Sequence, residues 1–196
     1  MGKIITDKSL SKKDKILRNA ASLFRARGFT GCSMRELADS LGIEAPSLYN
    51  HIGSKGELLQ HICEKVAESF TGNMKENVQQ EVPVDEKLEN LIRFHIRFMM
   101  EDFDALWVAN HEWKHLPPLH LKTFLQQRKD YENNFTTLVK QGIEAGQLKN
   151  LDASVVTLTI LSAVRGLEFW QRKSKSIPDS TIENDVIHHL LKGIMK

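Results

Sequence analysis

SMRELADSLGIEAPSLYNHI, residues 33–52, holds two short helices and the turn between them. Ser33 followed three places later by Glu36 is a capping box, which opens a helix through Leu37, Ala38 and Leu41. Gly42 stops that helix, since glycine takes the left-handed conformation a helix end needs. A second short helix runs over 45–51, with Pro46 tolerated in its first turn. Two short helices joined by a tight turn at Gly42-Ile43 form a helix-turn-helix. Leu48 and Ile52 face inward, which leaves Ala45, Pro46, Ser47, Tyr49, Asn50 and His51 for another surface.

That surface suits DNA. Small residues at the start of the second helix let it approach base edges in a major groove, where hydroxyl and amide groups donate and accept. Ser33 and Ser54 each cap a helix whose N-terminal N–H groups and positive dipole end favour phosphate oxygens. Arg35 and Lys55 add formal charge beside them. Residues 1–60 carry ten Lys/Arg against six acidic residues, a net +4, whereas the remainder is at −2. A basic N-terminal segment on a mildly acidic body is the balance expected of a chain whose N-terminal end meets a polyanion.

Outward from this segment the chain reads as all-α, with about nine helices and no alternating β-branched runs. Ile16, Leu17, Ala20, Leu23 and Phe24 recur at helical spacing between Ser11 and Gly28. Ser54-x-x-Glu57 is a second capping box, opening a long helix to about residue 80. Further helices are expected over 84–102, 105–115, 119–145, 152–173 and 179–195. The boundaries drawn are a flexible N-terminus at 1–10, a three-helix helix-turn-helix domain at 11–56, and a larger helical ligand-binding and dimerisation domain at 57–196.

Composition bounds the rest. The chain has 196 residues, 41% of them hydrophobic and 27% charged, ordinary for a globular protein. No apolar run reaches the ~20 residues that a membrane span requires. Two cysteines, Cys32 and Cys63, and no secretory pattern point to a reducing cytoplasm. No cofactor is expected, and no membrane partner.

Residues from about 11 to 60 resemble the DNA-binding domain of the bacterial tetracycline-repressor family. Ile16-Leu17, Ala20, Phe24, Gly28-Phe29, Met34-Arg35-Glu36-Leu37-Ala38, Gly42-Ile43, Leu48-Tyr49, His51, Ser54-Lys55 and Leu58-Leu59 carry the likeness. Ile52 stands where the family usually has phenylalanine, and acidic Glu44 opens the second helix. The resemblance implies that Tyr49 and Lys55 contact the phosphate backbone, and that Ala45, Pro46, Ser47, Asn50 and Arg35 lie at or near bases. It implies a homodimeric regulator, usually a repressor, that a small effector releases from a double-stranded operator.

The C-terminal body carries an unusual stretch. Residues 153–164, ASVVTLTILSAV, bear no charge on any face, whereas an outer helix of a monomer shows a polar side. Ile182, Val186, Leu190 and Ile194 form one row on the last helix. Val156, Ile160 and Leu161 with that row are the candidate interface of a two-fold, four-helix contact. Effector candidates are His95, Arg128 and Arg165, which sit on otherwise apolar faces, and the aromatics Phe98, Trp107, Tyr131 and Phe169. Arg128 can instead pair with Asp130 or Glu132, and Arg165 with Glu168. The segment EWKHLPP, followed by a helix with Arg128 and Tyr131, is similar to a subgroup that answers to acyl-coenzyme A thioesters.

HEWKH, residues 111–115, offers a different chemistry. His111-Glu112-x-x-His115 matches the zinc-hydrolase pattern, with two ligands one helical turn apart and a glutamate base. His120 is nine residues beyond His111, and Pro117-Pro118 breaks the helix, so a metal site is not expected. The zinc-dependent hydrolase stands as the alternative function.

Overall fold

The computed structural model describes residues 11–170 and 177–195, which places the expected flexible N-terminus outside the described residues. Nine α-helices run through them: α1 (Lys12–Arg27), α2 (Met34–Leu41), α3 (Ala45–Tyr49), α4 (Lys55–Val78), α5 (Val84–Glu101), α6 (Phe103–His111), α7 (Pro118–Glu144), α8 (Ala153–Gly166) and α9 (Asp179–Lys192). The one bridge of β type among them joins Leu148 to Met195. None of these helices is long and apolar enough to cross a membrane.

Two helices end at least four residues earlier than periodicity predicts. The helix expected over 105–115 stops at His111, and Trp113–His115 forms a tighter 310 turn. Pro117 and Pro118 follow too closely for a regular helix to continue, because a residue before proline is driven out of the helical region. The helix expected over 152–173 stops at Gly166 and passes into a 310 turn, Leu167–Phe169. Asp152 opens α8 by accepting from the N–H groups of Ser154 and Val155.

The described residues divide into two compact units. The first joins residues up to Val66 with Asp104–Phe124; the second joins Ala67–Phe103 with the residues from Leu125 onward. The sequence boundary at 56 therefore falls inside the first unit, and that unit also recruits α6 and the start of α7.

In the first unit α1 packs on α2 and α2 on α3. Ile16, Leu17, Ala20, Phe24, Leu37, Leu48, Ile52, Leu58, Leu59 and Ile62 are buried there, each large side chain worth ~1.5–3 kcal/mol relative to exposure. In the second unit α5 packs against both α8 and α9. Glu183 of α9 is buried between Arg93 and Arg97 of α5, with Arg97 Nε donating at 2.9 Å and Nη2 at 2.8 Å. Those two guanidinium groups hold the Glu183 carboxyl below its usual range.

Candidate nucleic-acid interface and interior cluster

The turn between α2 and α3 is built by Gly42. Its φ is +65°, its N–H reaches back to Asp39 O, and the next N–H, of Ile43, reaches Ala38 O at 3.1 Å. The turn presents α3 outward on a single buried anchor, Leu48, which is 0% exposed. Pro46, Ser47, Tyr49, Asn50 and His51 are exposed and Ala45 is half-buried. Glu44 caps α3 without a side-chain hydrogen bond, so its carboxylate stays on the surface.

Around α3 lie two helix N-termini. At α2, Ser33 Oγ accepts from Glu36 N at 3.2 Å while the Glu36 carboxylate takes the Ser33 N–H at 2.8 Å. The capping box is complete, and hydrogen bonds from Ser33, reinforced by Arg27, hold the Glu36 carboxyl low. Arg35 is exposed in the first turn of α2. At α4, Ser54 Oγ accepts from Glu57 N at 3.1 Å, and Glu57 reaches one residue further back, to Gly53 N, at 2.7 Å.

Lys55, expected at the phosphate backbone, is hydrogen-bonded within the protein. Its ammonium donates to Phe29 O at 2.8 Å and to Cys32 O at 2.7 Å, and lies 4.5 Å from the centre of the Phe29 ring. Those two carbonyls belong to the turn before α2, so the lysine ties that turn to the first turn of α4.

The HEWKH residues are not gathered on one helical face. His111, at the end of α6, stacks on Trp107 with ring centres 4.5 Å apart. His115 lies in the following 310 turn, stacks on Phe29 at 5.2 Å, and pairs with the Glu112 carboxylate at 3.4 Å. A zinc hydrolase needs both rings on one helical face and the glutamate available as base; here the helix ends between them and Glu112 is engaged. His120 pairs with Glu64 at 3.1 Å. Among the described residues no group of three or more potential ligands is placed to hold a metal ion.

In the second unit, His95 Nε2 and Tyr131 Oη lie 2.8 Å apart. Phe70 of α4 closes on both, edge-on to His95 at 4.7 Å and to Tyr131 at 5.9 Å. Phe94 and Phe98 complete the cluster around Phe70. Burial among these rings, with Arg165 adding repulsion, pushes the His95 imidazole down to about 3, and burial raises Tyr131. The pair is neutral, able to donate and accept without charge. Of the effector candidates, His95, Phe98, Tyr131 and Arg165 thus share one neighbourhood. Trp107 belongs to the other unit, Arg128 is half-buried, and Phe169 is 74% exposed. Phe70 escaped the sequence reading, although its spacing from Val66 and Met74 puts it on the buried face of α4.

Five of the seven interface candidates are already covered within the chain. Val156, Ile160, Leu161, Ile182 and Ile194 are buried, while Val186 and Leu190 are half-buried. The exposed row of α8 is one residue around: Val155 at 62% and Leu158 at 51%, followed by Ser162. The uncharged segment left both faces apolar, so periodicity alone had no polar side from which to set its rotation.

An all-helical chain that presents a short, polar, singly anchored helix beside two capped helix N-termini is built as a helix-turn-helix DNA-binding protein. Comparison with known proteins gives the same class. Residues 16–62 match the family of bacterial regulatory proteins, tetR family, and residues 81–194 match the tetracyclin repressor-like C-terminal domain. The HTH-type transcriptional repressor KstR2 of Mycolicibacterium smegmatis is 25% identical over 186 residues, spanning 94% of this chain and 91% of its own. The ketosteroid transcriptional regulator KstR2 of Mycobacterium tuberculosis has the same fold, with TM-score 0.88 and 22% identity over 95% of this chain and 96% of that one. AibR in complex with isovaleryl coenzyme A and operator DNA superposes with TM-score 0.80 and 23% identity, over 92% and 98%. The chain belongs to the tetR family and is a ligand-responsive, DNA-binding transcriptional regulator. The zinc-hydrolase alternative has no support.

Proposed function

We propose that the protein is a homodimeric repressor that leaves its operator when a small-molecule effector binds the C-terminal body. The observation that carries the DNA reading is the surface of α3: Pro46, Ser47, Tyr49, Asn50 and His51 exposed on the single buried anchor Leu48. Ser47 and Asn50 supply the hydroxyl and amide for base edges, with Ala45 and Pro46 allowing close approach. Tyr49, His51, Arg35 and the helix N-termini capped by Ser33 and Ser54 address the backbone. One such module reads one half-site, so tight binding calls for two copies. The exposed Val155 and Leu158, with Phe169 and half-buried Val186 and Leu190, are the apolar surface available to a second copy.

The effector is assigned to the aromatic neighbourhood of His95, Phe98 and Tyr131, with the Arg165 guanidinium for an anionic group. An acyl-coenzyme A thioester has both parts, an apolar acyl chain and phosphates, and the AibR structure was solved with isovaleryl coenzyme A. A regulator of this kind works in the bacterial cytoplasm, where the operator is.

The test is selection of duplex DNA from a random-sequence pool by the full-length protein, followed by footprinting. Two protected half-sites about one helical turn apart are expected; recovery of no sequence preference would overturn the operator reading. Titration of the complex with acyl-coenzyme A of several chain lengths tests the effector. Release by none of them would remove the thioester and leave DNA binding standing.

A further inference from the structure

The segment 112–116 is unexplained by the reading of DNA or of effector, yet within the first unit it touches the turn that leads into α2. That turn, residues 28–32, begins at Gly28 with φ +74° and ends at Ser33, the N-cap of α2. Phe29 is its one aromatic side chain, and three neighbours fix the ring. Phe24 meets its edge at 5.3 Å, the Lys55 ammonium lies 4.5 Å from its centre, and His115 stacks at 5.2 Å with the planes 21° apart. The His115 ring is itself held, by the pair with Glu112 and by the 310 turn that His115 N closes onto Glu112 O at 3.0 Å. The Glu112 carboxylate also lies over Gly28.

We propose that His115 is a positioning residue for DNA binding: its ring, stacked on Phe29, sets the turn before α2 and so aims the N-terminus of α2 at the phosphate backbone. The backbone of the turn carries the effect forward. Phe29 O and Cys32 O both accept from Lys55, Cys32 N donates to Phe29 O at 3.4 Å, and the Cys32 thiol donates to Gly28 O at 3.2 Å. A displaced Phe29 therefore moves the carbonyl next to Ser33. The inference rests on the operator reading, because aiming matters only if α2 faces DNA. It places HEWKH outside metal chemistry: Glu112 and His115 form a bracket for the reading module.

The probe is the fluorescein-labelled duplex recovered from the random pool, with a scrambled duplex as control, followed by anisotropy. His115→Ala should weaken binding to the recovered duplex roughly five- to tenfold, the scale of one aromatic contact. His115→Phe, which keeps a stacking ring, should restore it. Phe29→Leu removes the same stack from the other side, so the double variant should lose no more than either single one. Amide exchange should quicken at Cys32–Glu36 in His115→Ala and return to the wild-type rate in His115→Phe, a pattern that general destabilisation does not produce. If His115→Ala does not fold, Phe29→Leu with His115→Phe carries the same comparison. Unchanged affinity in both His115→Ala and Phe29→Leu, or additive losses in the double variant, overturns the proposal. Failure to recover any preferred duplex defeats the operator reading itself.

Discussion

Lys55 turns its charge inward, and a lysine so placed behaves differently from one that meets phosphate. A phosphate contact would lower the salt slope of binding by about 1 on removal. With its ammonium held by Phe29 O and Cys32 O, Lys55→Met should leave that slope unchanged while lowering stability by ~1–3 kcal/mol, the scale of hydrogen bonds from a charged donor. Arg35→Ala should show the reverse: a smaller slope and an unaltered urea midpoint. Anisotropy at several salt concentrations separates the two. At His95 the consequence is one of pH. Its folded-state pKa is about 3 against 6.5 for the free ring, so between those values the unfolded chain binds a proton that the folded chain excludes. Stability is complete above about pH 6.5 and falls as pH drops toward 3, by up to ~1.4 kcal/mol per pH unit from this group. His95→Phe should flatten the fall in urea stability between pH 7 and pH 5.

At the scale of elements, packing shows what pattern cannot. Gly142 lies inside α7, and a Cβ there would sit 2.7 Å from Leu148 Cδ1 and 3.0 Å from Val84 Cγ1. Its carbonyl also receives the N–H groups of Gln147 and Leu148. Gly142→Ala, which raises helix propensity, should therefore destabilise the chain by ~1–3 kcal/mol through overpacking, as a thermal melt would report. The starts of α1, α2 and α4 and the stops of α1 and α2 were legible because each is written locally: Ser11, Ser33 and Ser54 before helices, Gly28 and Gly42 after them. The end of α6 was less so, since HEWKH keeps helical spacing while Pro117-Pro118 forces the tighter turn. Long-range partners were not legible at all. Nothing in the spacing of Glu183 announces Arg93 and Arg97, and nothing in Phe70 announces His95, because those pairings come from helices that meet only in the folded unit.

At the scale of the molecule, the rotation of α8 decides what an interface variant does. Leu161 is 2% exposed and Leu158 is 51% exposed. Leu161→Glu should unfold the chain, because it buries an unpaired charge in its own core. Leu158→Glu should instead leave the fold intact and yield monomers, which sedimentation and circular dichroism together would distinguish. A Leu158→Glu protein that remains dimeric would move the proposed contact to another face. The division of the chain has a consequence for the order in which the protein is made. The unit that contains the helix-turn-helix closes only with Asp104–Phe124, so its last strip of sequence is synthesised after all of α5. At the ~5–20 residues per second of translation, the 58 residues after Val66, through Phe124, take roughly 3–12 s to add. During that interval the N-terminal helices exist without the bracket that Glu112 and His115 supply. On the ribosome the reading head emerges before the segment that finishes its unit.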